Sequence, residues 1–231
     1  MRINRYIATY SNLSRRKADA LIEAGKVAVN RRPAHNGMDV GHQDIVVIEG
    51  KRLLPIKRES ITVLLHKPVG YVCSRDGQGS PTVYDLLQNR MQHLNIAGRL
   101  DKDSSGLVIL TDDGSLLQQL THPSHNKEKI YEVGLDEPIK KADLDRLHTG
   151  VDIGDTRVSR LKVAPCKNID HPNCYIITIT EGRNRQIRRT FEALRYKVLR
   201  LHRTSLGAYK LGSLPVGEFQ ESRQASKVEQ G

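Results

Sequence analysis

The sequence predicts an α+β protein of two domains, in which a small N-terminal domain precedes a larger domain with a mixed, mostly antiparallel sheet. The main observation is the order of patterns after residue 60, where apolar runs and helical patterns do not alternate as a regular βαβ repeat would. The apolar runs are 107–111, 130–135, 158–164 and 174–180, and the helical patterns are 114–121, 141–148 and 185–195. A second observation is the segment LLPIKRES at 53–60, which is typical of a linker. We therefore expect domains at residues 1–56 and 57–231.

The N-terminal domain is expected to consist of two helices followed by a small sheet. Ser14 is a credible N-cap of the second helix, and Gly25 supplies a left-handed stop. The stretches KVAVN and DIVVIEG then alternate like short strands. The first helix of the N-terminal domain is indicated by apolar residues at i, i+3, i+4 and i+7, namely Ile3, Tyr6, Ile7 and Tyr10.

The larger domain is expected to begin with a strand, a turn and a second strand, which the stretch ITVLLHKPVGYVCS at 61–74 predicts.

Composition favours a polyanionic partner. The 231 residues include 37 Lys and Arg against 26 Asp and Glu, a formal charge of +11, and such a field attracts nucleic acid. Three cysteines without a C-x-x-C pair argue against a disulfide framework and suit a reducing cytosol. No apolar run has the length of a signal peptide or a membrane span. We therefore expect a cytoplasmic protein with no membrane association.

Much of the excess charge lies in the N-terminal domain, where residues 1–58 hold twelve basic and five acidic side chains. A helix N-terminus disfavours cations, so three of them in the first turn of the second helix are locally unfavourable unless an external anion is bound. Phosphate is the natural candidate because helix N-termini also offer free backbone N–H groups. The alternative is a solvated charged face. The clustered cations are Arg15, Arg16, Lys17, Arg31 and Arg32.

The stretch GRLDKDSSGLVILTDDG at 98–114 places acids at both ends of an apolar strand, and three interpretations compete. Asp, Ser and Gly are common turn formers before a strand. A calcium-binding loop would take its ligands from every second residue of this stretch, but the later residues of the stretch are apolar and no helix precedes the stretch. The third interpretation is a catalytic carboxylate at Asp101, which needs a cationic partner when partly desolvated. Such a loop would place Asp101, Asp103, Ser105 and Asp112 at positions 1, 3, 5 and 12, with Gly106 at the turn position 6 and Val108 at position 8.

The source of that cation is expected in EGRNRQIRRTFEALRYKVLRLHR at 181–203. Its apolar stripe of Ile187, Phe191 and Leu194 predicts a helix with one buried face. Arg188 flanks this stripe and is a candidate partner for a carboxylate. For Arg185 and Arg189 a solvated face or a phosphate contact is the simpler interpretation. A metal site is not expected, because Cys166, His171 and Cys174 lack an evident fourth ligand for zinc.

Two family resemblances follow from these motifs. SRRKADALIEAGKVAVNRR resembles the small RNA-binding module named after a small-subunit ribosomal protein, the S-four domain. GRLDKDSSGLVILTDDG, HKPVGYVCS, EKIYEV and EGRNRQIRR resemble, in order and spacing, the motifs of the RsuA-like family of ribosomal RNA pseudouridine synthases. The resemblance covers the chain from Met1 to about Gly217. Departures are modest: His66 stands where Asn is common, Ser104–Ser105 replaces a Thr-Ser or Thr-Thr pair, and the polar tail matches weakly.

The resemblance implies roles for individual residues. It makes Asp101 the catalytic aspartate, Tyr131 the aromatic that packs against the target base, and Arg188 the cation that holds and balances Asp101. Arg99 and Leu201 would belong to the substrate pocket. Further RNA contacts would come from the basic segment, through Arg183 and Arg185.

The implied reaction is isomerisation of a uridine already built into ribosomal RNA. No group is added or lost, so neither a cofactor nor a metal is expected. The partner is ribosomal RNA or a ribosome-assembly intermediate rather than a small-molecule substrate, and a monomer is expected. The alternative is a non-catalytic RNA-binding or ribosome-assembly protein on the same fold. The motifs do not distinguish small-subunit from large-subunit RNA.

Overall fold

A computed structural model of the chain describes residues 1–11, 13–41, 43–54, 59–166 and 172–222. The chain divides into two compact units, Met1–Glu59 and Ser60–Gly231. Among the described residues, no helix is both long and apolar enough to cross a bilayer.

The described part of the N-terminal unit has two helices and a four-stranded antiparallel sheet of order β2-β1-β3-β4. Its core contains the predicted stripe of the first helix, with Ile3, Tyr6 and Ile7 buried against residues of the second helix and the sheet. Ser14 caps the second helix as predicted, since its Oγ accepts a bond from the Lys17 amide at 3.2 Å. The elements are α1 (Ile3–Tyr10), α2 (Arg15–Glu23), β1 (Val27–Val29), β2 (Arg32–Pro33), β3 (Val46–Ile48) and β4 (Lys51–Arg52).

Both hairpins of this unit use two-residue turns with positive φ at both positions. Asn30 (φ 49°) and Arg31 (φ 67°) connect β1 to β2, and Glu49 (φ 49°) and Gly50 (φ 78°) connect β3 to β4. This geometry matches the twist of paired strands and makes the turns tight. The first turn therefore places the exposed side chain of Arg31 at the tip of a rigid hairpin.

In its described residues, the C-terminal unit has a nine-stranded mixed sheet and three α-helices. The main path of the sheet is β13-β5-β7-β11-β8-β10-β9, with β6 paired to β7 and β12 to β11. The strands are β5 (Thr62–Lys67), β6 (Asn95–Ala97), β7 (Ser105–Thr111), β8 (Lys129–Leu135), β9 (Lys162–Pro165), β10 (Cys174–Ile179), β11 (Val198–Leu206), β12 (Tyr209–Lys210) and β13 (Phe219–Glu221). The helices are α3 (Gly114–Thr121), α4 (Lys141–Thr149) and α5 (Gln186–Ala193), with short 3-10 turns at Val83–Leu86, Asn89–Met91 and Pro123–His125.

The pairing confirms the predicted mixed, mostly antiparallel sheet, because β7 and β11 form the one parallel pair among the described strands. The two strands approach closely where Gly106 faces Arg203. A Cβ at Gly106 would lie 2.2 Å from the Arg203 carbonyl oxygen, and its φ of +106° also disfavours other residues. Gly106, in the middle of the acidic stretch, therefore permits the central contact of the sheet.

Several elements differ from the sequence prediction, and the short strands β6 and β12 were not predicted. β11 was not predicted, because Arg200 and Arg203 interrupt its apolar pattern, yet it lies at the centre of the sheet. The segment 71–74 was expected to be a strand, and only Val72 makes a bridge, to Thr82. The polar tail contributes β13, whose backbone pairs with β5 along one edge.

The sheet buries both of its faces. The larger core contains alternate residues of the central strands together with Ile187 and Phe191 of α5. The opposite face packs against Leu120 of α3. On this second face, the rings of His66 and His202 lie 5.2 Å apart, and His202 Nδ1 is 2.9 Å from the Ser105 hydroxyl.

The buried imidazole predicts acid destabilisation. Burial, aided by the nearby Arg200 and His66, lowers the pKa of His202 to about 4. Between about pH 6.5 and this value, the unfolded chain binds a proton that the folded chain does not, so stability falls as the pH falls. The shift corresponds to about 3 kcal/mol. Urea unfolding from pH 7 to pH 4 is expected to show this loss in the wild type and a smaller loss in His202→Asn. Equal pH dependence in both proteins would refute the assignment.

Candidate active site

Asp101 lies in the loop 98–104, which connects β6 to β7 and is held at its start by a buried arginine. Arg203 is only 1% exposed, and its guanidinium donates to the carbonyl oxygens of Gly98 at 2.7 Å, Leu107 at 2.8 Å and Arg99 at 3.5 Å. It forms no ion pair with the described carboxylates. These carbonyl bonds compensate for its burial and tie the loop to the central strand β11.

The end of the same loop is held by Lys67, which is fully buried. Its Nζ donates to the carbonyl oxygens of Ser104 at 2.5 Å and Pro68 at 2.9 Å. Burial lowers the pKa of Lys67. In the middle of the loop, the Leu100 amide lies 3.4 Å from Cys73 Sγ. The backbone on both sides of Asp101 is therefore fixed by side chains from β5 and β11.

Asp101 and Asp103 share two arginines from the start of α5. Arg185 lies 3.5 Å from Asp101 Oδ2 and bonds to both carboxylate oxygens of Asp103 at 3.3 and 3.4 Å. Arg188 contacts Asp103 at 3.3 Å and also donates to the carbonyl oxygens of Asp103 and Val198, each at 3.0 Å. The expected Arg188–Asp101 pair is thus replaced by an Arg185–Asp101 pair, because Asp103 and backbone carbonyls occupy the Arg188 guanidinium.

The cluster of Asp101, Asp103, Arg185 and Arg188 holds two carboxylates and two guanidinium groups, so its formal charges cancel. Burial alone would raise the pKa of Asp103, but the hydrogen bond from Arg185 and the charge of Arg188 outweigh it and lower the pKa. Asp103 therefore stays ionised and holds both arginines. The Asp101 side chain is 35% exposed and faces the adjoining cleft.

A cleft of about 600 Å³ opens beside Asp101. Tyr131 of β8 and Leu201 of β11, each 7% exposed, contribute apolar surface, and the exposed Arg99 lies at its edge. The predicted residues Asp101, Tyr131, Arg99, Leu201, Arg183 and Arg185 all line this cleft. The arrangement offers a flat aromatic ring and an exposed carboxylate to a planar ligand.

A family model described as RNA pseudouridylate synthase matches residues 61–193, the region that contains most of the cleft. The chain belongs to this family. The matched region is more than half of the chain and includes Asp101, Tyr131 and α5.

Sequence similarity to named relatives extends over nearly the whole length of the chain. It is 34% identical to the "Dual-specificity RNA pseudouridine synthase RluF" of Escherichia coli K12, over 96% of this chain and 75% of the relative. It is 33% identical to the "Ribosomal small subunit pseudouridine synthase A" of Vibrio vulnificus, over 95% and 94%. It is 34% identical to the "Ribosomal large subunit pseudouridine synthase B" of Bacillus subtilis, over 95% and 91%. A crystal structure described as a pseudouridylate synthase aligns with a TM-score of 0.68 and 32% identity over 96% of each chain.

Two basic residues of the synthase have structural partners that the sequence did not suggest. Arg183 bonds to Asp155, to Glu181 and to the Arg157 and Val158 carbonyl oxygens, so its guanidinium is occupied within the protein. Arg189 pairs with Asp155 at 2.7 Å. The RNA contact predicted for Arg183 is therefore available only if these bonds break.

Sequence reasoning missed two residues of the synthase, Arg203 and Lys67. Lys67 occurs in the quoted motif HKPVG but was given no role. Arg203 gave no clear signal, because the alternation in LRLHR places it in line with the exposed Leu199 as well as with the buried Leu201.

Neither metal interpretation gains support in the described part of the synthase, where no cluster of three or more His, Cys, Asp or Glu is placed to hold an ion. The calcium loop fails because β7 separates Asp101 from Asp112 by roughly 20 Å of extended strand. Asp112 instead accepts a bond from the Ile61 amide at 2.8 Å. Of the zinc candidates, His171 lies outside the described residues.

Proposed function

We propose that this protein converts a specific uridine in ribosomal RNA to pseudouridine, with Asp101 as the catalytic carboxylate. The observation that carries the proposal is the position of Asp101, which faces the cleft from a loop fixed by Lys67 and Arg203. The relatives named for ribosomal RNA support the substrate class. They include both small-subunit and large-subunit enzymes at similar identity, so the proposal covers both RNAs.

The reaction moves one glycosidic bond. The bond from C1′ to uracil N1 breaks, the base rotates, and C5 bonds to C1′ while the hydrogen on C5 is lost as a proton and N1 gains one. Cleavage builds positive charge on the sugar, which a nearby carboxylate stabilises, as in glycosidases. We assign this role to Asp101. The chemistry requires no redox change and no transferred group.

The target base has to leave its stack to enter the cleft, which costs a few kcal/mol. Stacking on the Tyr131 ring returns about 1–3 kcal/mol. Leu201 provides apolar surface on the neighbouring strand β11, where it pairs with Val133, two residues from Tyr131. Arg99 contributes a cation at the edge of the cleft, where RNA backbone phosphates pass.

The direct test uses purified protein and transcribed large- and small-subunit ribosomal RNAs labelled with tritium at C5 of uridine. Formation of the C5–C1′ bond releases the tritium into water, so the protein is expected to release one equivalent per target site. Release is expected to continue in the presence of EDTA. Failure to release tritium from either RNA, or from ribosomal subunits isolated before modification, would contradict the proposal.

We further propose that the N-terminal unit binds the same RNA through Arg15, Arg16, Lys17, Arg31 and Arg32. All five residues are exposed, three in the first turn of α2 and two at or beside the rigid hairpin turn. The first turn of α2 contains no acidic residue that would neutralise them. We also propose that the protein acts as a monomer in the cytoplasm, because docking onto a large RNA needs no symmetry.

The N-terminal contacts predict a salt-dependent effect. Arg16→Ala combined with Lys17→Ala should weaken RNA binding roughly tenfold and reduce the slope of log affinity against log salt by about 2. Lys26→Ala serves as the control, because Lys26 lies in the same unit but is paired with Glu49 at 2.8 Å. Fluorescence anisotropy between 50 and 300 mM salt measures both quantities. Unchanged slopes in the double variant would remove α2 from the RNA interface.

A further inference from the structure

Arg185 differs from Arg188 in how firmly it is held, although both contact Asp103. Arg188 is 12% exposed and donates to two backbone carbonyl oxygens, which fix its guanidinium. Arg185 is 44% exposed, and its contacts are side-chain bonds of 3.3 to 3.5 Å to Asp101 and Asp103. Exposed ion pairs of this kind contribute little to stability and are readily exchanged. Arg185 is therefore the cation of the cluster that is free to change partners.

The backbone of Arg185 supports a functional role. Its φ of +46° lies in the left-handed region, immediately before the first residue of α5. Non-glycine residues seldom adopt this conformation, and such residues cluster at functional sites. The conformation is accompanied by a guanidinium that lines the cleft and reaches both carboxylates of the loop 98–104.

The two carboxylates create a problem for an RNA ligand. A phosphate that enters beside Asp101 and Asp103 meets two negative charges, and Arg188 is already occupied by Asp103 and backbone oxygens. Arg185 carries the charge and the forked donors that match a phosphate, and it is exposed at the same place. A phosphate is therefore able to replace the carboxylates as its partner.

We propose that Arg185 exchanges partners during the reaction cycle. Without RNA it neutralises Asp101 and Asp103, and with RNA in the cleft it binds a backbone phosphate beside the target nucleotide. Arg188 stays on Asp103, so Asp101 becomes the carboxylate that is released toward the uridine. The inference rests on the proposed function and makes Arg185 a positioning residue that couples RNA binding to the exposure of Asp101.

The test separates affinity from rate in three variants. The RNA is a transcribed ribosomal fragment containing the uridine that the wild-type protein modifies. Affinity and its salt dependence are measured in the Asp101→Asn background, where no turnover occurs, and single-turnover rates are measured at saturating RNA with Asp101 intact. The variants are Arg185→Ala, Arg185→Lys and the control Arg146→Ala, which removes an exposed cation paired with Asp143 on α4.

Arg185→Ala is expected to weaken binding roughly tenfold and to reduce the salt slope by about 1, while the saturating rate falls less than about threefold. Arg185→Lys should retain the slope but bind less tightly than the wild type, because it lacks the forked donors. Arg146→Ala should match the wild type in every measurement. Unchanged affinity and slope in Arg185→Ala, or a large loss of saturating rate with intact affinity, would overturn the inference. Either result leaves tritium release by the wild-type protein, and thus the proposed function, unaffected.

Discussion

Asp101→Asn is expected to reduce the rate of pseudouridine formation by at least about 10³-fold, because it removes the carboxylate charge from the reacting sugar. Folding should be little affected, since Asp101 is partly exposed and its described ion pair is a long contact of 3.5 Å with Arg185. RNA affinity should hold or rise, because the substitution removes a negative charge that faces the phosphates. Single-turnover tritium release, thermal unfolding and anisotropy measure the three quantities on the same protein.

Asp112→Asn is the matched control for that substitution. It lies in the same acidic stretch at the opposite end of β7, where its Oδ1 accepts the Ile61 amide, a bond that an Asn oxygen is able to keep. Its activity should remain within about twofold of the wild type, as is usual for surface substitutions of small effect. Comparable losses in both variants would mean that the acidic stretch acts through folding rather than through chemistry.

Arg203→Met is expected to lower the free energy of unfolding by about 3–5 kcal/mol and to abolish activity. The substitution fills most of the volume but leaves the carbonyl oxygens of Gly98 and Leu107 without their buried donor. These oxygens lie on both sides of Asp101, so the loop that carries it loses its attachment to β11. Urea unfolding gives the stability change, and tritium release at a temperature where the variant is folded gives the activity.

Arg203→Lys separates the two effects. Lysine keeps the charge but lacks the fork that joins separate carbonyl oxygens, so a folded protein with a displaced loop is expected. A displacement of about 1 Å at a reacting group costs on the order of 10²-fold in rate. Near wild-type activity in Arg203→Lys would show that the loop 98–104 is held by other contacts.

The local patterns predicted most elements because each depends on neighbours in sequence. The helical pattern at 114–121 corresponds to α3, and the capping Ser14 and the apolar face of α1 follow from spacing within one or two turns. The mixed sheet was predicted from the irregular order of apolar and helical segments. The family motifs brought together Asp101, Tyr131 and Leu201, which the fold places around one cleft.

The missed features depend on distant contacts. Arg203 resembles a surface cation in sequence, and only the carbonyl oxygens contributed by residues 98, 99 and 107 explain its burial. Arg185 rather than Arg188 lies beside Asp101 because Asp103 and the carbonyl oxygens of residues 103 and 198 hold the Arg188 guanidinium, and a helical pattern shows none of these contacts. The segment 71–74 has strand-forming residues, but Val72 finds only a bridge to Thr82 instead of a full partner strand.

The most direct test maps pseudouridines in ribosomal RNA from cells that lack this protein, after restoring either the wild type or Asp101→Asn. We expect at least one pseudouridine to disappear with the deletion and to return with the wild type alone. That result would establish the enzyme, its target and the need for the carboxylate together. Persistence of every pseudouridine without the protein, or full restoration by Asp101→Asn, would contradict the account.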